Sequence, residues 1–252
     1  MNFDISHILE QWDYQPGQVI VRKFKGKDGT EKIQLRVDLG LLQMNAQGRP
    51  DGKHPFGHES LLEHYQNQLE KHRAANDGND EGFKLKVEDC SKLQQEAIQY
   101  HHRYICLFQL EDYEAVIRDT DRNLKVFNFV QKYAANEDLA WAMQQFRPQL
   151  MLMRIRAQGT MALKNDDFDG ALKVIEDAVE DLRSFYRESG RAELAENSPE
   201  IQSLEMWQQD LQEKRPLSEK EQLEIALDEA VQNEDYEKAA QVRDALRKIK
   251  AS

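Results

Sequence analysis

Cysteine is scarce: Cys90 and Cys106 are the only two in 252 residues, and they stand sixteen positions apart. Without a Cys-x-x-Cys pair, neither a disulfide framework nor a zinc knuckle is expected. Cys106 lies in the apolar stretch Tyr104-Ile105-Cys106-Leu107-Phe108, which suits a buried small hydrophobe better than a nucleophile. No apolar run approaches the roughly 20 residues that a membrane-crossing helix needs. Met1-Asn2-Phe3-Asp4-Ile5 lacks the basic region and apolar core of a secretory signal, so a cytoplasmic protein with no membrane partner is expected. Positive charge is in deficit, with 34 Lys and Arg against 46 Asp and Glu and a net charge of −12. That balance argues against a protein that coats nucleic acid, because phosphate neutralisation dominates such binding.

What the sequence does have is helical. Hydrophobic residues make up 40% and charged residues 32%, a composition that fits a globular protein built from amphipathic helices. Only the first fifty residues read otherwise. Gln18–Phe24 is β-branched and mixed, and Ile33, Leu35, Val37, Leu39 and Leu41 alternate with other residues, the period of a half-buried strand. Gly26-Lys27-Asp28-Gly29-Thr30 between them carries an Asp-Gly pair suited to a tight turn, so a β-hairpin is expected. Its face must pack on the helices that follow, because an isolated hairpin is barely stable. Arg22, Lys23, Lys25, Lys27, Lys32 and Arg36 face only Asp28 and Glu31 over residues 18–36, a local charge of +4. Charged side chains of this kind protect a sheet edge from pairing with other chains; nucleic-acid binding is the alternative reading.

After the Gly- and Pro-rich loop 45–57, every long segment has helical periodicity. Leu61, Leu62, Tyr65 and Leu69 mark one face of a first helix. Others are expected over 89–110, 112–133, 139–163 with a kink or break at Pro148, 168–189, and from Pro199 to about Lys214. Arg215-Pro216-Leu217-Ser218 reads as a linker. The fold class is therefore mainly α, divided into an N-terminal β-hairpin module (1–55), a helical-hairpin body (56–215) and a C-terminal helical hairpin (217–252).

Three interhelical breaks share one chemistry: Leu110-Glu111-Asp112-Tyr113, Asn165-Asp166-Asp167-Phe168 and Asn233-Glu234-Asp235-Tyr236. In each, an acidic residue caps the next helix, an aromatic follows, and a small residue comes two or three positions later. The recurrence predicts stacked antiparallel helix pairs. The middle copy resembles a tetratricopeptide unit over roughly residues 152–185, with Gly159, Phe168, Ala171 and Ala178 at that repeat's spacing. Around Ala115 the pattern fails, because Arg103 and Arg122 occupy the small-residue positions.

The C-terminal signal is more specific. Leu223, Ala226, Leu227 and Ala230 form one apolar stripe, followed by Asn233-Glu234-Asp235-Tyr236-Glu237-Lys238-Ala239-Ala240-Gln241-Val242-Arg243-Asp244-Ala245-Leu246-Arg247-Lys248-Ile249. This segment resembles the UVR motif of the excision-repair subunits UvrB and UvrC, and is similar to segments of protein-arginine-kinase activators and some Clp chaperone ATPases. The acidic-aromatic turn, the Ala239-Ala240 pair and Arg243-Asp244 carry the resemblance. It implies protein–protein contact without chemistry, through Leu223, Leu227, Tyr236, Ala239, Ala240, Arg243, Asp244 and Leu246, with another UVR-bearing protein or a second copy as partner. The competing reading is that Tyr236, Ala239, Leu246 and Ile249 simply pack on neighbouring helices of this chain.

The catalytic parts of those relatives are missing. No Gly-x-x-x-x-Gly-Lys-Ser/Thr loop is present to cradle nucleotide phosphates, and no paired cysteines to hold zinc. His54, His58, His64 and His72 cluster in sequence, but Leu62 stands where a zincin motif places its second histidine. No catalytic residue, metal ligand or cofactor is expected, and the reading is a non-enzymatic adaptor.

Overall fold

The structure, a computed structural model, describes residues 4–217 and 219–250; the readings that fall on Met1–Phe3 and Ser218 lie outside the described residues. The chain forms two compact units, Met1–Glu205 and Met206–Ser252. Both are mainly helical, and a small sheet stands near the N-terminus.

After the single turn α1 (Ser6–Leu9), strands β1 (Ile20–Lys25), β2 (Glu31–Val37) and β3 (Gly40–Asn45) form an antiparallel sheet in that order. β1 and β2 are the expected hairpin. At their turn Gly29 takes φ +78°, and the Asp28 carboxylate accepts bonds from the Thr30 amide (3.1 Å) and hydroxyl (2.7 Å). The alternation over Ile33–Leu41 does not make one strand. The chain reverses at Asp38-Leu39, Val37 pairs with Gly40, and Leu39 is 90% exposed. A two-residue turn brings position 37 opposite 40, so parity switches across it. Leu41 therefore lies opposite Arg36, whereas Leu42 and Met44 join Leu35 and Ile33 on the other face.

That second face puts Ile33 and Met44 into the core with residues of the following helices. The Arg36 face is covered too. Arg22 donates to Gln34 (2.8 Å), Gln34 to Gln43 (2.8 Å), and the guanidinium of Arg22 lies 4.2 Å from the Trp12 ring. Arg36 donates to the Trp12 carbonyl (3.0 Å) and faces the Tyr14 ring, which explains how polar Gln34 and Arg36 come to be buried.

The helices are α2 (Leu61–Ala75), α3 (Val87–Gln109), α4 (Tyr113–Tyr133), α5 (Glu137–Gln144), α6 (Arg147–Lys164), α7 (Phe168–Glu188), α8 (Glu193–Glu196), α9 (Pro199–Lys214), α10 (Glu219–Gln232) and α11 (Tyr236–Lys250). Of the kink or break expected near Pro148, the chain takes the break: two helices, α5 and α6, are separated at Gln145-Phe146. Pro148 sits in the first turn of α6, where its missing N–H costs nothing.

The three recurrent turns share one geometry. Glu111, Asp166 and Glu234 take left-handed φ of 59°, 58° and 55°. The next residue's amide reaches back five positions, from Asp112 to the Leu107 carbonyl (2.9 Å), Asp167 to Ala162 (3.0 Å) and Asp235 to Ala230 (2.8 Å). Its carboxylate then caps the new helix at Ala115, Gly170 and Lys238 respectively. Asp166 is exposed and makes no side-chain hydrogen bond among the described residues, so its left-handed backbone dominates what replaces it. Asp166→Val is expected to be less stable than Asp166→Gly by about 1–2 kcal/mol in urea denaturation. Equal stability of the two would mean the turn relaxes to another conformation.

A buried ionic cluster ties the sheet's exit loop to α3 and α4. Arg103, 1% exposed, holds Asp119 through two bonds (2.6 and 2.8 Å) and donates to the carbonyls of Asn45 (2.9 Å) and Gly48 (2.8 Å). Buried Glu96 accepts from the Leu61 amide at the start of α2 (2.8 Å) and pairs with Arg49 (3.0 Å) and Arg122. The Tyr100 ring lies 4.9 Å from the guanidinium of Arg103 and 4.1 Å from that of Arg122. Burial, with Arg49 nearby, pushes the Arg122 guanidinium down to about 9, still charged at neutral pH.

Candidate docking hairpin

The second unit contains the helical pair α10–α11, and its two faces have different tasks. Leu223, Ala226, Leu227 and Ala230 run along α10 at helical spacing, and Ala239, Val242, Ala245 and Leu246 along α11. All are partly or fully buried, Ala230 and Leu246 most deeply, where the two helices meet. The apolar stripe read from the sequence is thus the internal seam of the hairpin. Of the eight candidate contact residues, Leu223, Leu227, Ala239 and Leu246 belong to that seam. Tyr236, Ala240, Arg243 and Asp244 face outward, and Asp244 meets Arg247 at 3.8 Å. The Ile249 side chain lies outside the described residues.

The corner aromatic separates this hairpin from the other two built on the same turn. Tyr113 packs edge-on against Phe108 (5.4 Å between ring centres) with Lys164 above its ring at 4.8 Å, and Phe168 is half-buried. Tyr236 is 70% exposed, and Val231 (52%) and Ile225 (44%) are exposed on the preceding helix. Sequence reasoning missed Val231 and Ile225 because they fall off the stripe at i, i+3, i+4 and i+7; an apolar residue outside the seam was itself the signal. Charge is also divided, with five acids and one lysine on α10 against five bases and two acids on α11.

The six cations of the basic strand pair have different surroundings. Arg22 and Arg36 hold the segment around Trp12 and Tyr14. Lys23 pairs with Glu31 (3.0 Å) and Asp112 (3.5 Å), and the Glu31 bond, chiefly, raises its pKa. Lys32 pairs with Asp28 (2.9 Å) and donates to Asn45. Lys25 and Lys27 are exposed and, among the described residues, have no ion-pair partner. His54 stands 3.5 Å from Glu59, and His64 stacks on Phe56 with ring centres 4.2 Å apart. Among the described residues no group of three or more His, Cys, Asp or Glu side chains is arranged to hold a metal ion, and no helix is long and apolar enough to cross a membrane.

Residues 218–252 match the family model described as the UvrB/uvrC motif, a span that coincides with the α10–α11 pair. Motifs of this family mediate protein–protein interactions. The chain matches no curated protein and no solved structure.

Proposed function

We propose that this protein is a non-enzymatic adaptor whose C-terminal hairpin docks a partner carrying a hairpin of the same kind, in repair or Clp-type proteolysis machinery or in a second copy of the chain. The exposure of Tyr236 carries the reading. Its counterparts at the same turn are half-buried, whereas Tyr236 leaves a large amphipathic ring in water, and Val231 of the preceding helix is exposed too. Tyrosine is enriched among the anchors of protein interfaces. The opposite charges of α10 and α11 suit a second hairpin laid antiparallel, acidic helix against basic helix.

The test is affinity capture from native cell extract, comparing the full chain with a chain ending at Pro216. A UVR-bearing protein retained only by the full chain is expected, or a concentration-dependent dimer in sedimentation that the shorter chain does not form. Identical captures and identical sedimentation would overturn the proposal, and the hairpin would then serve this protein's own stability.

A further inference from the structure

The first unit contains an open groove of about 730 Å³, within the range of pockets that take a ligand. Its walls come from α4, α5, α6, α7 and the turn that follows α7. Trp141 of α5 and Phe185 of α7 stack in its lining, ring planes 12° apart and centres 6.3 Å apart. Each ring already receives a guanidinium: Arg191 lies 3.7 Å from the Trp141 centre and Arg147 5.7 Å from that of Phe185. Arg147 is anchored by Asn128 at 2.7 Å. Arg191 belongs to the turn after α7, and among the described residues its guanidinium donates only to the Ser189 carbonyl, at 2.8 Å.

Four carboxylates, Glu137, Asp138, Asp181 and Glu188, line the same groove. All four are exposed, and none closes a salt bridge or hydrogen bond among the described residues. Elsewhere in this unit carboxylates such as Asp80, Glu111, Asp121 and Glu180 have paired with cations. The groove therefore combines aromatic faces that accept a guanidinium with four carboxylates against two guanidinium groups, Asp181 and Glu188 acting on Arg147 through space without a direct bond. Asn128 and Gln131, also in the lining, carry side-chain amides that match a peptide backbone.

We propose that this groove binds a basic, arginine-containing extended segment of a partner protein. An arginine of that segment takes the Trp141 face in place of Arg191, which acts as a placeholder from within the chain, and further cations pair with Asp181 and Glu188. Arginine is favoured over lysine because its planar guanidinium stacks on aromatic rings as well as pairing with carboxylates. The site is separate from the hairpin and does not depend on its role.

The test uses the full chain and a fluorescein-labelled peptide of alternating Arg and Gly, read by fluorescence anisotropy at low salt. Saturable binding is expected, weaker for the same peptide with Lys in place of Arg. The double variant Asp181→Asn/Glu188→Gln, altered only at exposed positions, should lose about tenfold in affinity. Trp141→Leu should lose about fivefold. Arg191→Met should bind more tightly than Lys173→Met, which removes the same charge outside the groove. Tyr236→Ala should leave this binding unchanged, which keeps it distinguishable from hairpin docking. Equal affinity across the groove variants, or free arginine competing as well as the peptide at equal concentration, would overturn the proposal.

Discussion

Asp119→Ala should lower the stability of the chain by about 3–5 kcal/mol, the largest effect expected from any single exchange considered for this protein. The reason is what remains behind. Arg103 is buried on α3, and two of its bonds go to the equally buried Asp119 carboxylate on α4. An uncompensated cation at such a depth costs far more than the pair contributes when intact. The double variant Arg103→Met/Asp119→Leu should recover part of the loss, because two apolar side chains replace a buried pair at little cost. It should not recover all of it. The half-buried Asn45 carbonyl would lose the Arg103 donor, at up to about 1–3 kcal/mol, while the carbonyl of exposed Gly48 can turn to water. Urea denaturation followed by far-UV circular dichroism measures all three proteins. A loss under about 1 kcal/mol for Asp119→Ala would show that water enters the cluster and that its burial is only apparent.

Tyr236→Ala should weaken capture of the hairpin's partner by at least about 2 kcal/mol, roughly thirtyfold in affinity, while changing the melting of the chain little. The two readouts separate the alternatives for α10–α11. A side chain that packs within its own protein loses stability on truncation; one that anchors a partner loses binding. Tyr236 is mostly exposed, so its removal leaves no cavity. Leu246→Ala supplies the opposite pattern, since it opens the seam between the helices and should cost about 2 kcal/mol or more of hairpin stability before any partner is involved. Unchanged capture with Tyr236→Ala would remove the ring from the docking surface and shift attention to Ala240, Arg243 and Asp244.

Much of this architecture can be read from residue order, and the parts that cannot have a common cause. Helix positions follow from apolar periodicity and from acidic caps such as Asp112, Asp167 and Asp235, which are local and repeat three times. The third strand escaped because a two-residue turn at Asp38-Leu39 interrupts the alternation without breaking its rhythm. Arg103 and Arg122 are instructive in another way. As single letters they only spoil a repeat pattern, and Glu96 is one acid among many; their significance appears when α3, α4 and the 45–52 loop meet around them. The docking face was half legible. The seam of the hairpin announces itself by spacing, but which aromatic remains uncovered depends on whether another helix happens to lie over the corner, as the Lys164 end of α6 does for Tyr113.

The two cysteines have a practical consequence. Cys106 is fully buried and burial pushes its thiol up to about 12; Cys90 is buried as well and its thiol is also raised. Neither is a nucleophile while α3 stays in place, because it is the thiolate that attacks an alkylating reagent. Both become ordinary reactive thiols once the first unit opens. The chain thus contains its own opening clock: the rate at which iodoacetamide consumes two sulfhydryls reports how often α3 leaves the core, with no dye or tag attached.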